Sequence, residues 1–261
     1  KNNFEIPKLT VQGCFKIKMT FENILEYSRV IPAWFSNKFL YFKREIDENQ
    51  RKAKKITEYY LIKNPKDLNA LQILSAVFFQ SKDFENAKVV LERLIEINPS
   101  NAQIHNNYAL ALFNLSEFEN ALACLNKAIK IDKNYAEAYY NRGNVFLKLQ
   151  NRESALKSFD HAIELKPDYK IAINNKGNLL KDIGKLDEAL LSYQKAIKID
   201  RINPDEINNC GNIYFEMARY DDALSYFTTA IKINPNFYQA HYNLGKAVSY
   251  THLTLPTTYT V

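Results

Sequence analysis

Asn107, Asn141, Asn175, Asn209 and Asn243 stand 34 residues apart along the chain. Asn144, Asn178 and Asn212 repeat the interval three positions further on, and Asn174 and Asn208 directly precede two members of the first set. A primary amide carries two N–H donors and a carbonyl acceptor. One such side chain can bond both the N–H and the C=O of a passing peptide backbone, whatever that peptide's side chains are. Each bond contributes about 0.5–1.5 kcal/mol net, so a row of them reaches micromolar affinity. The competing use of the same amides is hydrogen bonding between neighbouring structural units. Asn is abundant in this chain, but abundance alone does not place it at one position in five successive units.

No other chemistry competes with this pattern. The four histidines, His105, His161, His241 and His252, have no ligand spacing. Cys14, Cys124 and Cys210 have neither metal-type nor paired spacing, which fits a reducing, cytoplasmic compartment. No phosphate loop, dinucleotide turn or nucleophile elbow occurs, and no acid, base and nucleophile assemble. The expectation is a non-enzyme with no cofactor, no metal and no small-molecule substrate. The net charge is +6. Lys127, Lys130, Lys195, Lys198 and Lys232 lie near the ends of expected helices, where cations complement the helix dipole. They form no clustered stripe, which argues against a nucleic-acid partner. No run is long and apolar enough to span a bilayer.

The elements that must position the asparagines follow from the same period. Ala87, Ala121, Ala155, Ala189 and Ala223 are also 34 apart, as are Gly143, Gly177, Gly211 and Gly245. A fixed period of this length marks a solenoid of helix pairs. Taking Ala102 as a unit's first residue, the apolar spacing predicts helices over 102–115 and 118–131. Further units begin at Leu68, Ala136, Lys170, Pro204 and Tyr238. Small residues such as Gly143 and Ala155 let paired helices approach, and Phe159, with its equivalents Leu125, Tyr193 and Phe227, fills the space beside them. Pro65, Pro99, Pro167 and Pro235 stop second helices. Glu85, Glu119, Glu153, Asp187 and Asp221 open them, where a carboxylate stabilises the N-terminus.

Tyr139, Gly143, Phe146, Ala155, Phe159, Ala162 and Pro167 resemble, in order, the pattern of the tetratricopeptide-repeat family. Leu244, Gly245, Ala223, Phe227, Ala230 and Pro235 match it again. The resemblance implies an all-α, right-handed superhelical solenoid of antiparallel helix pairs. It also implies that first helices line a concave groove, which the asparagine ladder would face. Similar ladders occur in the repeat superhelices of O-linked N-acetylglucosamine transferase and kinesin light chain. A chaperone carboxylate clamp of this family needs Lys just before the ladder position, and Asn106, Tyr140, Asn174, Asn208 and Tyr242 stand there instead. The implied partner is a protein or peptide, held in the groove by Asn107, Asn141, Asn144, Asn175, Asn178, Asn209, Asn212 and Asn243. The alternative is the substrate-recruiting arm of a larger enzyme, such as a glycosyltransferase.

The expected organisation is an irregular segment or cap over 1–33, a degenerate first repeat over 34–67, and an array over 68–249. That array has five full units and the first helix of a sixth. Phe15, Ile17, Met19 and Phe21 alternate with polar residues as in a strand, and 21–30 could form a short helix. The Thr-rich stretch 250–261 reads as a disordered or artefactual tail. The last unit's missing second helix should leave an apolar face exposed and suggests a longer native chain.

Overall fold

The computed structural model describes residues 33–200 and 203–254, with side chains over 48–200 and 203–251. The expected strand, short helix and cap over 1–33, and most of the C-terminal tail, lie outside the described residues. Among the described residues all regular structure is helical: α1 Ala33–Lys63, α2 Leu68–Gln80, α3 Phe84–Ile97, α4 Ala102–Asn114, α5 Phe118–Ile131, α6 Ala136–Lys148, α7 Arg152–Leu165, α8 Lys170–Asp182, α9 Leu186–Ile199, α10 Pro204–Glu216, α11 Tyr220–Ile233 and α12 Tyr238–Thr254. Helices start at every unit boundary read from the sequence. The fold is all-α and of the solenoid type, with short turns joining antiparallel neighbours. The chain divides into two compact units, one ending at Leu115 and one starting at Ser116.

The first unit holds α1–α4, packed in sequential order. Its core is Leu71, Leu74, Phe78, Leu91 and Leu94, joined by Leu61 and Ile104. Asp67 and Asn101 cap α2 and α4 by accepting from Ala70 N and Ile104 N. His105 is buried, its Nε2 2.8 Å from the Pro99 carbonyl oxygen. The segment read as a degenerate repeat carries one continuous helix, α1, where a full repeat has two.

The turns explain this. Between the two helices of each later pair, one residue takes the left-handed conformation: Lys82, Ser116, Gln150, Gly184 and Ala218, with φ between 57° and 79°. These positions are again 34 apart, and the equivalent in the first segment is Glu48, inside α1. Nothing there interrupts the helix.

The second unit holds α5–α12, each helix packed on the next. Ala155, Ala189 and Ala223 are completely buried. Phe159, Tyr193 and Phe227 fill the space beside Gly143, Gly177 and Gly211. A Cβ added at Gly143 or Gly211 would lie 2.5 Å from the facing ring, and one at Gly177 2.9 Å from Tyr193. Only glycine allows this approach within the helix pair. On α12, which packs on α11, a Cβ at Gly245 meets nothing within 4 Å. Tyr238 and Tyr242 of α12 are strongly exposed.

Candidate functional site

In the second unit the ladder is carried by α6 (Asn141, Asn144), α8 (Asn175, Asn178), α10 (Asn209, Asn212) and α12 (Asn243). Residues three apart on a helix share a face, so each helix presents its amides on one side. The structure joins these amides across repeats. Asn175 donates from Nδ2 to Asn144 Oδ1 at 3.0 Å and to Tyr140 Oη at 3.3 Å. Asn243 donates to Asn212 Oδ1 at 2.9 Å and to Asn208 Oδ1 at 3.0 Å. Part of the ladder therefore spends its donors on holding neighbouring repeats in register. That is the competing use seen in the sequence.

The exposures differ accordingly. Asn243 is 8% exposed and Asn208 4%. Asn141, Asn144, Asn175, Asn209 and Asn212 are half-buried, and Asn178 is exposed. Asn141 is engaged within the chain. Asn178 accepts at Oδ1 from the Tyr193 hydroxyl at 2.6 Å. Asn107 lies on α4 in the first unit and is half-buried.

A charged cluster sits at the N-terminal ends of α8 and α10. Glu206 is 2% exposed, at a position where the other repeats of the second unit bury Ala138, Ala172 and Ala240. Its Oε1 accepts from Asn174 Nδ2 and lies 3.2 Å from Lys170 Nζ, which also bonds Asp200 Oδ2 at 2.8 Å. Burial pulls the Lys170 ammonium down, but Asp200 and Glu206 together outweigh it and hold its pKa above the ordinary lysine value. Glu206 Oε2 and Asn174 Oδ1 are buried without a hydrogen-bond partner.

A second polar stripe joins first helices to the second helices on either side of them. Arg142 Nε donates to Ser158 Oγ and an Nη to Asn126 Oδ1, both at 3.2 Å, and the guanidinium lies over the Tyr139 ring. Burial lowers its pKa. At the equivalent position Lys176 bonds Asp160 at 2.6 Å, and in the first unit Tyr108 bonds Glu92 at 2.7 Å. These contacts fix the spacing of repeats and therefore the spacing of the ladder.

Sequence reasoning places Tyr193 only as a space-filler and Lys170 only as a unit's first residue, and it gives Glu206 no role. The signal was available as departures from the repeat. Tyr193 stands where Phe159 and Phe227 stand, and Glu206 where three alanines stand. Among the described residues no group of His, Cys, Asp and Glu side chains could hold a metal ion. No described helix is long and apolar enough to cross a membrane.

Models of the TPR repeat match residues 109–150 and 177–217, and of the tetratricopeptide repeat 136–169 and 204–237. A model described as anaphase-promoting complex, cyclosome, subunit 3 matches 47–128. No curated protein matches the chain. Among solved structures, PilW, described as a widely conserved type IV pilus biogenesis factor, superposes with a TM-score of 0.68 at 20% identity, over 78% of this chain and 95% of that one. PilF of Pseudomonas aeruginosa superposes at 0.64 and 19%, over 82% and 96%. YrrB, titled a TPR protein with an unusual peptide-binding site, superposes at 0.57 and 22%, over 71% and 96%. Likeness at this identity speaks to the fold.

Proposed function

The chain belongs to the tetratricopeptide-repeat family, and from that premise we propose that it is a protein-interaction module whose asparagine ladder holds an extended peptide or disordered segment of a partner protein. The observation that carries this reading is the recurrence of partly exposed amides on α6, α8 and α10 with hydrogen-bonding capacity left over. Asn175 has used both N–H donors but keeps its carbonyl oxygen, while Asn144 and Asn212 have used the carbonyl and keep their donors. A backbone laid across these helices meets donors and acceptors in alternation. Recognition of this kind is tolerant of the partner's sequence, because it addresses groups every residue carries. The C-terminal ends of α6, α8 and α10 carry both signs of charge through Lys148, Lys181, Asp182 and Glu216, so net charge does little to select the partner.

The test is panning of a random linear peptide display library on the intact chain and on the triple variant Asn141→Ala, Asn175→Ala, Asn209→Ala. Circular dichroism first establishes that both are helical. Peptides enriched by the first and lost by the second are the expected result. Equal enrichment, or none, refutes the ladder as a binding surface.

A further inference from the structure

The ladder positions of α8, α10 and α12 can be compared at identical offsets. Asn175 bonds the residues 31 and 35 positions before it, Asn144 and Tyr140. Asn243 does the same with Asn212 and Asn208. Asn209 has asparagines at both offsets, Asn178 and Asn174, yet neither is bonded to it. Asn178 Oδ1 is occupied by the Tyr193 hydroxyl. Asn174 Nδ2 is turned to Glu206, and its Oδ1 has no partner. Among the described residues, Asn209 is the ladder member of the second unit whose amide has no partner of its own.

Two departures from the repeat account for this, and both fall at the same inter-repeat boundary. Phe159 and Phe227 have no hydroxyl with which to reach Asn144 or Asn212. Tyr193 has one, and it takes the acceptor that Asn209 would otherwise use. Burial, and next the nearby Asp182 charge, push the Tyr193 phenol above its ordinary pKa, so it remains a donor. Ala138, Ala172 and Ala240 leave their neighbours alone. Glu206 captures Asn174 and is itself held by Lys170.

We propose that Tyr193 and Glu206 are positioning residues that keep one rung of the ladder open, and that Asn209, with the free N–H groups of Asn178, is where the partner's backbone is gripped. This rests on the peptide-holding reading above. The open rung offers the Asn209 carbonyl to a backbone N–H. It offers the Asn209 and Asn178 amide hydrogens to backbone carbonyls. The chemistry recognised is an extended main chain with unpaired N–H and C=O groups, as in an unstructured segment.

The experiment uses the full chain and a fluorescein-labelled copy of the peptide most enriched on it from a random linear display library, read by fluorescence anisotropy. Asn209→Ala is expected to weaken binding about tenfold, the loss of one two-point amide contact, with the thermal midpoint unchanged. Tyr193→Phe and Glu206→Ala place at these sites the residues that neighbouring repeats already carry, so both variants keep the fold. Each is expected to weaken binding severalfold while the thermal midpoint holds or rises, as Asn178 or Asn174 turns to bond Asn209. In the Asn209→Ala background, Tyr193→Phe is expected to cause no further loss. Wild-type affinity in Asn209→Ala, or an equal Tyr193→Phe effect with and without Asn209, overturns the inference. If the triple asparagine variant loses binding but Asn209→Ala alone does not, the open rung fails and the peptide-holding reading stands. If the triple variant binds normally, or no peptide is enriched, both fall.

Discussion

Gly211 and Gly245 occupy the same position in consecutive repeats, yet substitution by alanine should act on them with opposite sign. Alanine is favoured over glycine within a helix by about 1 kcal/mol. At Gly245 this gain stands alone, because the added Cβ meets nothing within 4 Å. At Gly211 the added Cβ lies 2.5 Å from Phe227 Cε1 and 2.7 Å from Cδ1. Phe227 is 1% exposed, so its ring can retreat only by displacing the core of α11. Overpacking costs about 1–3 kcal/mol, and separations this short belong at the upper end. Setting about 3 kcal/mol against the gain of about 1 leaves Gly211→Ala destabilised by about 2 kcal/mol, while Gly245→Ala is stabilised by about 1. The assay is urea unfolding followed by far-UV circular dichroism, comparing midpoints at constant slope. Hydrogen exchange across α10–α12 adds a local reading, because repeats open locally. Shifts of the same sign in the two variants would refute the claim that close approach to Phe227, rather than helix propensity, fixes glycine at this position.

The left-handed turn residues give a second test: Gln150→Gly and Ala218→Gly are expected to raise the urea midpoint by about 0.5–1 kcal/mol equivalent, since a side chain in this conformation costs about 1–2 kcal/mol, partly offset by glycine's entropy. Gly184→Ala, at φ 79° with no contact for its Cβ, is expected to lower it by a similar amount. Cys210 is fully buried and burial pushes its thiol up to about 12, so alkylation followed by peptide mapping is expected to label it only when the chain unfolds. Substantial native-state labelling at mildly alkaline pH refutes that packing. Lys170 has its pKa raised in the fold from 10.5, so its contribution to stability is complete below that value and is lost as pH rises through the higher folded value. The gap in urea midpoint between wild type and Lys170→Met is expected to be constant from neutral pH to about 10.5 and to narrow above it.

The sequence made the helix bounds legible because one register governs every unit. The pair expected over 102–115 and 118–131 forms as Ala102–Asn114 and Phe118–Ile131, and the pairing of Gly143 with Phe159 follows from the same alignment. The turn conformation was not legible. Its position is held by Lys, Ser, Gln, Gly and Ala in successive units, and only the glycine signals a positive φ. The single helix of 33–63 is not legible in the sequence for a related reason. Ala53, Tyr60 and Pro65 keep the period, but the missing feature is a turn, which that pattern does not report. The face shared by the asparagines could be read from helical spacing. Which of them bond one another could not, because that depends on the offset between neighbouring first helices. Repeat packing sets this offset, and it lies beyond any one helix's periodicity.

In a repeated framework a residue that obeys the period explains the fold, and one that breaks it needs a separate reason. Glu206 replaces a buried alanine with a carboxylate. A buried charge is tolerated only when paired and hydrogen-bonded. Lys170 and Asn174 both serve it, and Asp200 in turn steadies Lys170. Even so, two acceptor atoms remain unsatisfied in the cluster. A simple alanine at this position would leave Asn174 and Asn209 free to bond, as Asn208 and Asn243 do at the next boundary. The chain carries the less satisfied arrangement at the boundary where Tyr193 also diverts Asn178. Two independent departures with one consequence, at one rung, are hard to assign to packing. Local breaches of stabilising rules concentrate at functional sites, and here both breaches keep the same amide free.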